Sequence, residues 1–361
     1  MSEKLKDLFF TKESLNSFAD SIKKYYTSFS KDEFLKLIYD ETWEALELKA
    51  KMRHTTHSLY QCLPKDYVAA LVILVKAAHE IKGFEAMVLP DYVEVYGLDR
   101  MEESLNALGH FTQYSSSEFA IRPFLDMRPE IVMEYMKLWA ENKHENVRRF
   151  ASEGCRPRLP WAMILPKFII DPKPVLEVLE KLKDDSSEFV RKSVANNLND
   201  ISKDNPGLAL DTAVRWFGYS DNTNWIVKHG LRTLFKQGNT RALRLFGFGH
   251  PENLQIIDLK LETPTLNIGK NLNFSFKLIN EIDENQKVRL EYLISYVKAN
   301  GKTSDKVFQI VEKDFKPGNH FIKRKQSFDD MTTRKHYPGI HKIAIMVNGE
   351  KKAEMEFELL T

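Results

Sequence analysis

The segment HENVRRFASEG, residues 144–154, is followed by two segments of the same pattern, SEFVRKSVANN at 187–197 and NTNWIVKHGLRTL at 222–234. Each begins with polar residues that cap helices, continues with a β-branched residue and a basic residue two places later, and then keeps apolar residues at helical spacing. The equivalent positions Val147, Val190 and Ile226 are 43 and 36 residues apart. Repeats of that length are typical of stacked helix pairs, because one pair cannot bury its own apolar face. The segments therefore predict a HEAT-like helical solenoid.

Helical spacing divides the residues of these repeats into two faces. The face predicted to be buried comprises, in the first two repeats, Val147, Phe150, Ala151, Cys155, Val190, Val194, Leu198 and Ile201. The opposite face is predicted to form three exposed ridges: Arg149, Glu153 and Arg156; Lys192, Asn196 and Asp200; Lys228, Arg232 and Lys236. A basic residue recurs at the same repeat position, which favours a surface that binds a phosphate backbone. For a single helix, a solvated face with i,i+4 ion pairs is the commoner explanation.

From about residue 253 the pattern changes to short runs in which apolar and polar residues alternate. Examples are LNFSFKLIN at 272–280 and HFIKRKQSF at 320–328, and Asn348-Gly349 is a turn dipeptide. Alternation with a period of two predicts strands that are buried on one face. The chain is therefore predicted to be a multidomain α plus β protein. A HEAT-like helical domain at 1–250 is followed by an all-β, immunoglobulin-like sandwich at 251–361.

Composition limits the class of protein. The chain has 361 residues, with 53 Lys and Arg against 51 Asp and Glu, so a polyanion has to be held by local placement of charge. The N-terminal segment MSEKLKDLFF lacks the apolar part of a signal peptide, and the best apolar run, at 67–81, is interrupted by Lys76. Cys62 and Cys155 offer neither a disulfide framework nor metal-ligand spacing. We therefore expect a soluble cytoplasmic protein that uses no metal and no cofactor.

Two motifs at repeat distance carry a family likeness, RRFASEGCRPRLPWA at 148–162 and VRKSVANNLNDISKDNP at 190–206. Together with the predicted sandwich they resemble, over essentially the whole chain, the AlkC branch of the HEAT-repeat DNA glycosylases, which are related to AlkD. The resemblance implies an enzyme that excises small cationic lesions, such as 3-methyladenine and 3-methylcytosine, from duplex DNA without flipping the base into a pocket. A solenoid wrapped on DNA would work as a monomer.

The resemblance also implies the site residues. The active-site group that it implies is Glu153, Asp200, Trp161 and, in SSEFAIRPF, Glu118. Implied neighbouring DNA contacts are Arg149, Arg156 and Arg158, and the recurring ridges predict further contacts from Lys192, Asn196, Lys228, Arg232 and Lys236. This set suits the chemistry, because a cationic base leaves without being protonated. A carboxylate beside the oxocarbenium-like sugar then supplies the stabilisation that matters.

Other functions stay open at the level of sequence. A HEAT array could bind nucleic acid or a protein without catalysis, its acidic ridge residues serving only as ion-pair partners. Trp161 fits inter-repeat core by composition, as Trp139 and Trp216 do, and Trp225 is undecided. The pair His54 and His57 lacks a third metal ligand. Neither a glycine-rich phosphate loop nor G-x-S-x-G is present, so nucleotide hydrolysis and serine esterase chemistry are not supported.

Overall fold

The computed structural model describes residues 9–330 and 335–361, and its contacts group the chain into two compact units, Met1–Gly230 and Leu231–Thr361. The described part of the first unit is helical, and the second unit consists mainly of β-strands. The predicted fold class, helical repeats followed by an all-β domain, is confirmed. The predicted domain boundary after residue 250 lies just before the first strand, which begins at Leu254, whereas the contacts divide the chain after Gly230.

The α-helices of the first unit are, in chain order, α1 Lys12–Tyr25, α2 Lys31–Ile38, α3 Leu48–Cys62, α4 Tyr67–Ala77, α5 Val88–Tyr96, α6 Met101–Phe111, α7 Arg122–Met127, α8 Pro129–Trp139, α9 Glu145–Gly154, α10 Pro166–Ile170, α11 Lys173–Leu182, α12 Glu188–Asp204, α13 Pro206–Trp216 and α14 Asp221–Gly230. Several begin at a capping side chain; Asp66, for example, accepts a hydrogen bond from the Ala69 backbone N–H at 2.8 Å. Others, such as α8 and α13, begin at a proline, whose missing N–H has no helical partner at that position.

These helices form two layers. In one layer α1, α4, α6, α8 and α11 contact each other in that order. In the other layer α9, α12 and α14 are consecutive neighbours, and each of them packs against the preceding helix of its own pair, α8, α11 or α13. The three repeated segments of the sequence therefore start equivalent helices that stack side by side, which is the architecture that their spacing predicts.

The predicted apolar faces form the core of this stack. On α9 and just after it, Val147, Phe150, Ala151 and Cys155 are at most 1% exposed, and Val190, Val194, Leu198 and Ile201 of α12 are equally buried. Gly230, at the end of α14, lies directly on α12, where a Cβ atom would approach the Leu198 side chain to 2.8 Å. The close packing of successive repeats therefore depends on a residue without a side chain at this position.

The third predicted ridge does not lie on one helix. Helix α14 ends at Gly230, and a separate short helix, α15 Arg232–Lys236, follows, with Leu231 between the two in a non-helical conformation. Helical spacing therefore does not continue from Lys228 to Arg232 and Lys236, and the prediction of one continuous basic ridge is wrong. Arg289 Cζ lies 6.0 Å from the ring centroid of Phe235 in α15. Helix α15 therefore packs with the other residues of the second unit.

After α15 and α16, Thr240–Leu245, the second unit consists of β1 Leu254–Leu261, β2 Thr265–Asn267, β3 Asn271–Asn280, β4 Gln286–Val297, β5 Thr303–Phe315, β6 Gly318–Ser327, β7 Gly339–Val347 and β8 Glu350–Leu360. One sheet has the strand order β1-β3-β6 and the other β2-β8-β7-β4-β5. Both sheets contribute to a single core, with Phe274 and Phe276 from β3 facing Ile343 and Ile345 from β7. The predicted sandwich is confirmed, although the short strand β2 was not predicted.

The turn between β7 and β8 is the predicted Asn348-Gly349 dipeptide. Both residues have positive φ, 48° and 83°, as the tight turns that suit twisted hairpins require. Gly349 is also crowded, because an added Cβ atom would lie 2.1 Å from Gly238 Cα. Backbone conformation and packing therefore both require glycine here.

Among residues 9–330 and 335–361, no single helix has both the length and the apolar character needed to cross a membrane, although α3 and α4, bent by 117°, meet both criteria when taken together. Cys62 and Cys155 are free thiols. Burial raises the pKa of the Cys155 thiol to about 12. That thiol is therefore neutral at physiological pH and is not a nucleophile.

Candidate active site

The two main predicted carboxylates meet where α9 packs against α12. Glu153 is in the last turn of α9, Asp200 is on α12, and the guanidinium of Arg156 lies between them. Arg156 Nη1 is 2.7 Å from Glu153 Oε1, and Arg156 Nη2 is 2.8 Å from Asp200 Oδ2. Stacking of successive repeats therefore brings two carboxylates, distant in sequence, to one guanidinium.

The predicted exposure of this group is wrong. Glu153 is 6% exposed, Arg156 is 7% exposed and Asp200 is 1% exposed. Helix α12 contacts the face of α9 that was predicted to meet solvent, and Ser193 Oγ of α12 donates a hydrogen bond to Glu153 Oε2 at 2.6 Å. Arg156 lies beyond the end of α9, so helical spacing does not determine its direction. Its guanidinium donates to two protein carboxylate oxygens, Asp200 Oδ2 and Glu153 Oε1, which does not suit the predicted surface contact to DNA.

Three further ion pairs extend the group on both sides. Arg149 Nη1 is 3.1 Å from Glu118 Oε1, and Arg149 Nη2 is 3.6 Å from Glu153 Oε1. On the other side Lys203 Nζ is 2.9 Å from Asp200 Oδ1. Three carboxylates thus alternate with three cations; we call this set the charge network: Glu118, Arg149, Glu153, Arg156, Asp200 and Lys203. Its more exposed members are cations, since the side chains of Arg149 and Lys203 are 18% and 41% exposed.

Burial and charge oppose each other inside the network. Burial disfavours the charged form of Arg156, but the neighbouring Glu153 and Asp200 carboxylates outweigh it and raise the pKa of the guanidinium. Arg156 therefore stays protonated, and it compensates two carboxylates that have little contact with water. Removing it would leave two buried negative charges without their shared partner.

A second buried arginine, Arg122, anchors the segment after α9. Its Nη1 donates to the backbone carbonyls of Gly154 at 3.2 Å and Arg156 at 3.0 Å, and its Nε donates to the carbonyl of Met163. Burial lowers the pKa of Arg122 to about 10, so it remains a cation at neutral pH. A cation at the carboxyl end of α9 also interacts favourably with the helix dipole. Arg122 therefore fixes the backbone from which Arg156 and Trp161 extend.

Trp161 lies at the surface, so composition alone is a poor guide to its position. It is 84% exposed and has φ of 63°, a left-handed conformation that is unusual for a bulky residue. Trp139 and Trp216, predicted to be core, are 9% and 0% exposed. Trp225 is 39% exposed and stacks on His229, with ring centroids 5.1 Å apart. Trp161 is thus the most exposed of these four tryptophans. In sequence it lies five positions after the network residue Arg156.

The backbone conformation of Trp161 leads to a prediction about stability. Trp161→Gly should be more stable than Trp161→Ala by about 1 kcal/mol, because glycine adopts positive φ without the steric cost that a Cβ atom brings. The measurement is the free energy of unfolding of both variants in urea. Both remove the same exposed indole, so equal stabilities would mean that the positive φ carries no strain.

The remaining predicted DNA contacts are distributed around this site. Arg158 forms a two-bond pair with Asp204, Nε–Oδ2 2.7 Å and Nη2–Oδ1 2.8 Å, and its side chain is 40% exposed. Lys192 is exposed and lies 2.6 Å from Glu188, and Lys228 is exposed on the neighbouring helix α14. Asn196 is half-buried. Arg232 and Lys236 belong to the second unit.

Four residues of the site were not found by sequence reasoning; one of them is Lys203, which pairs with Asp200. Ser193 contacts Glu153, Arg122 contacts the backbone around Trp161, and Lys49 contacts Trp161 itself. Arg122 is part of the quoted motif SSEFAIRPF, and an arginine in an otherwise apolar run was the available signal. Ser193 and Lys49 had none, because their partners are distant in sequence. His54 and His57 contact backbone carbonyls and Tyr96, and within the described ranges no cluster of three or more His, Cys, Asp or Glu is placed to hold a metal ion.

Comparison with known proteins identifies the family. The model of the DNA alkylation repair enzyme family matches residues 50–215, and that of the C-terminal Ig-like domain of the uncharacterised protein YhaZ matches 255–361. Uncharacterized protein YhaZ of Bacillus subtilis (strain 168) is 47% identical over 356 residues, 98% of this chain and 99% of that protein. The alkylpurine DNA glycosylase AlkC of Pseudomonas fluorescens, solved bound to DNA containing an abasic site analog, has a TM-score of 0.90 and 40% identity, covering 99% of this chain and 100% of that chain. The predicted resemblance is confirmed, and the chain belongs to the DNA alkylation repair enzymes, in the branch of the glycosylase AlkC.

Proposed function

We propose that this chain is a DNA glycosylase that hydrolyses the N-glycosidic bond of cationic N3-alkylated bases, such as 3-methyladenine and 3-methylcytosine, in duplex DNA. It acts as a monomer in the cytoplasm and leaves the base within the helix rather than flipping it into a pocket. The observation that carries the proposal is the placement of two carboxylates of neighbouring repeats on one guanidinium, that of Arg156, which precedes the exposed Trp161 by five positions in sequence. Membership of the AlkC branch supports the same reaction class.

The chemistry of a cationic lesion suits such a site. Alkylation at a ring nitrogen makes the base a good leaving group, so the bond breaks without a general acid. Positive charge then moves from the base to the deoxyribose, and a fixed carboxylate beside the sugar stabilises the transition state more than the substrate. A buried carboxylate serves this purpose better than a hydrated one, because its interaction with the developing charge is less screened.

Within the network we assign Glu153 to the sugar. Its side chain retains 8% exposure, against 2% for Asp200, so of the two carboxylates that share Arg156 it is the more accessible to a substrate. Asp200 then acts through Arg156, which it holds against Glu153. Glu118 holds Arg149 at the outer edge, where that guanidinium also lies 4.9 Å from the ring centroid of Phe189. Trp161 provides an apolar surface for the sugar or the base.

DNA is held by cations beside the charge network and at its outer edge. Lys192 and Lys228 are exposed on neighbouring helices and lie at equivalent repeat positions, which suits the regular spacing of phosphates. Arg158 and Arg149 add positive charge closer to the carboxylates. The lesion is reached from outside the base stack if the duplex bends towards the protein, at a cost of a few kcal/mol that the phosphate contacts offset.

The phosphate contacts make a testable prediction. Lys192→Met should reduce the slope of log Kd against log salt concentration by about one, and weaken binding equally for lesion and undamaged DNA. Excision at saturating enzyme should be unchanged. The measurement is fluorescence anisotropy of labelled duplexes at several salt concentrations. Lys76→Met, on the other helical layer, makes the same change of net charge and should leave the slope unaltered; an effect of equal size there would remove Lys192 from the contact surface.

The proposed reaction is tested by incubating the purified chain with methylated duplex DNA and measuring free methylated bases by mass spectrometry. Release of 3-methyladenine and 3-methylcytosine is expected, whereas a non-catalytic HEAT-repeat scaffold would bind the DNA and release neither. Asp200→Asn and Glu153→Gln should lower release while leaving DNA affinity roughly unchanged. A fluorescent adenine analogue next to the lesion should stay quenched on binding, and a large rise in its emission would contradict the absence of base flipping.

A further inference from the structure

The exposed indole of Trp161 raises the question of what holds it. With 84% of the residue in solvent, few side-chain contacts restrain it, and its positive φ is a conformation that only the surrounding structure can maintain. The adjacent backbone contributes one weak bond, from Ala162 N–H to the Leu159 carbonyl at 3.3 Å. The direction of the indole must therefore be set largely through the peptide groups on either side of it.

Arg122 fixes the two ends of this segment, through the carbonyls of Gly154 and Arg156 before Trp161 and that of Met163 after it. It does not contact Trp161. The carbonyl of Trp161 instead accepts a hydrogen bond of 2.6 Å from Lys49 Nζ. The same ammonium group lies 4.9 Å from the ring centroid of Phe119, which follows the network residue Glu118. Lys49 thus connects two parts of the site from the first turn of α3.

We propose that Lys49 is a positioning residue for Trp161. By holding the Trp161 carbonyl it restrains the following peptide plane, and with it the left-handed conformation that directs the indole outwards. The ring of Phe119 attracts the same ammonium group, so that two contacts together restrain Lys49 Nζ. This inference rests on the proposed function of Trp161 as a surface for the sugar or base, and it places a residue of α3 in the site.

The observations separate this role from a simple phosphate contact. A lysine that binds phosphate is directed to solvent and changes affinity and its salt dependence. Lys49 is exposed, but its Nζ contacts a backbone carbonyl and an aromatic face. Its loss should therefore affect the rate of bond cleavage in the bound complex, because misplacement of a group that contacts the substrate is felt in the reaction step.

The test compares Lys49→Met with Lys76→Met, the same substitution at an exposed lysine of α4. Single-turnover excision at saturating enzyme and the salt dependence of Kd are measured for both. Lys49→Met should lower the excision rate on the order of tenfold, with Kd and its salt slope unchanged, and Lys76→Met should resemble the wild type. Lys49→Arg, which keeps a donor, should recover much of the rate.

A double-mutant cycle with Trp161→Ala tests the connection itself. If Lys49 acts through Trp161, Lys49→Met should cause little further loss in the Trp161→Ala background. Full additivity of the two losses would overturn the proposal, as would a reduced salt slope with a normal excision rate, which would make Lys49 a phosphate contact. Absence of excision by the wild type would instead refute the proposed function, so the two failures are distinguishable.

Discussion

Glu153→Gln is expected to lower the single-turnover rate of base excision by as much as about a thousandfold. A carboxylate at roughly 4 Å from the sugar, at an effective dielectric constant near 20, stabilises a developing unit charge by on the order of 4 kcal/mol, which corresponds to that factor. The amide is close in shape to the carboxylate and keeps an oxygen that can accept from Arg156. The variant should therefore fold, and its DNA affinity should stay within a few-fold of the wild type.

The matched control is Glu145→Gln, which makes the same chemical change on the same helix. Glu145 accepts a hydrogen bond from Ser187 at the exposed start of α9 and is not part of the charge network. Its excision rate should equal that of the wild type. Wild-type excision by Glu153→Gln, with normal excision by the control, would remove Glu153 from the mechanism and leave Glu118 and Asp200 as the carboxylates to examine.

Periodicity in the sequence was sufficient to predict the parts of the fold that repeat. The buried positions Val147 and Val190 follow from helical spacing alone, because a stacked helix has to hide its apolar stripe. The strands of the sandwich follow from alternation, and the Asn348-Gly349 turn from its need for positive φ. Such features depend on residues that are close in sequence, so one sequence contains the information for them.

The charge network depends on contacts that local patterns do not contain. Helical spacing placed Glu153 opposite the apolar stripe, but it carried no information that α12 would cover that face and donate from Ser193. The family resemblance implied a DNA contact for Arg156, just beyond the helix, and no local pattern showed that Glu153 and Asp200 would bind its guanidinium. Lys49 and Trp161, 112 positions apart, meet only in the folded chain. Sequence reasoning identified the three carboxylates of the charge network and two of its cations, Arg149 and Arg156, but missed Lys203 and the pairing between these charges.

Arg156→Met is expected to lower the free energy of unfolding by about 3–5 kcal/mol, the range for removing one partner from a buried ion pair. Methionine replaces the aliphatic stem of the arginine but leaves Glu153 and Asp200 buried without the cation between them. The opposite charge no longer offsets the cost of their burial. The measurement is urea unfolding followed by helical circular dichroism, with the transition of the first unit analysed separately from that of the second.

Two comparisons separate lost compensation from lost packing. Arg158→Met breaks a pair whose arginine side chain is 40% exposed, so it should lower the free energy of unfolding far less than Arg156→Met does. Adding Glu153→Gln and Asp200→Asn to Arg156→Met removes the two negative charges that have lost their shared cation and should recover most of the lost stability. If the triple variant were as unstable as Arg156→Met alone, the loss would come from packing. The network would then have to be explained by its role in catalysis and not by charge balance.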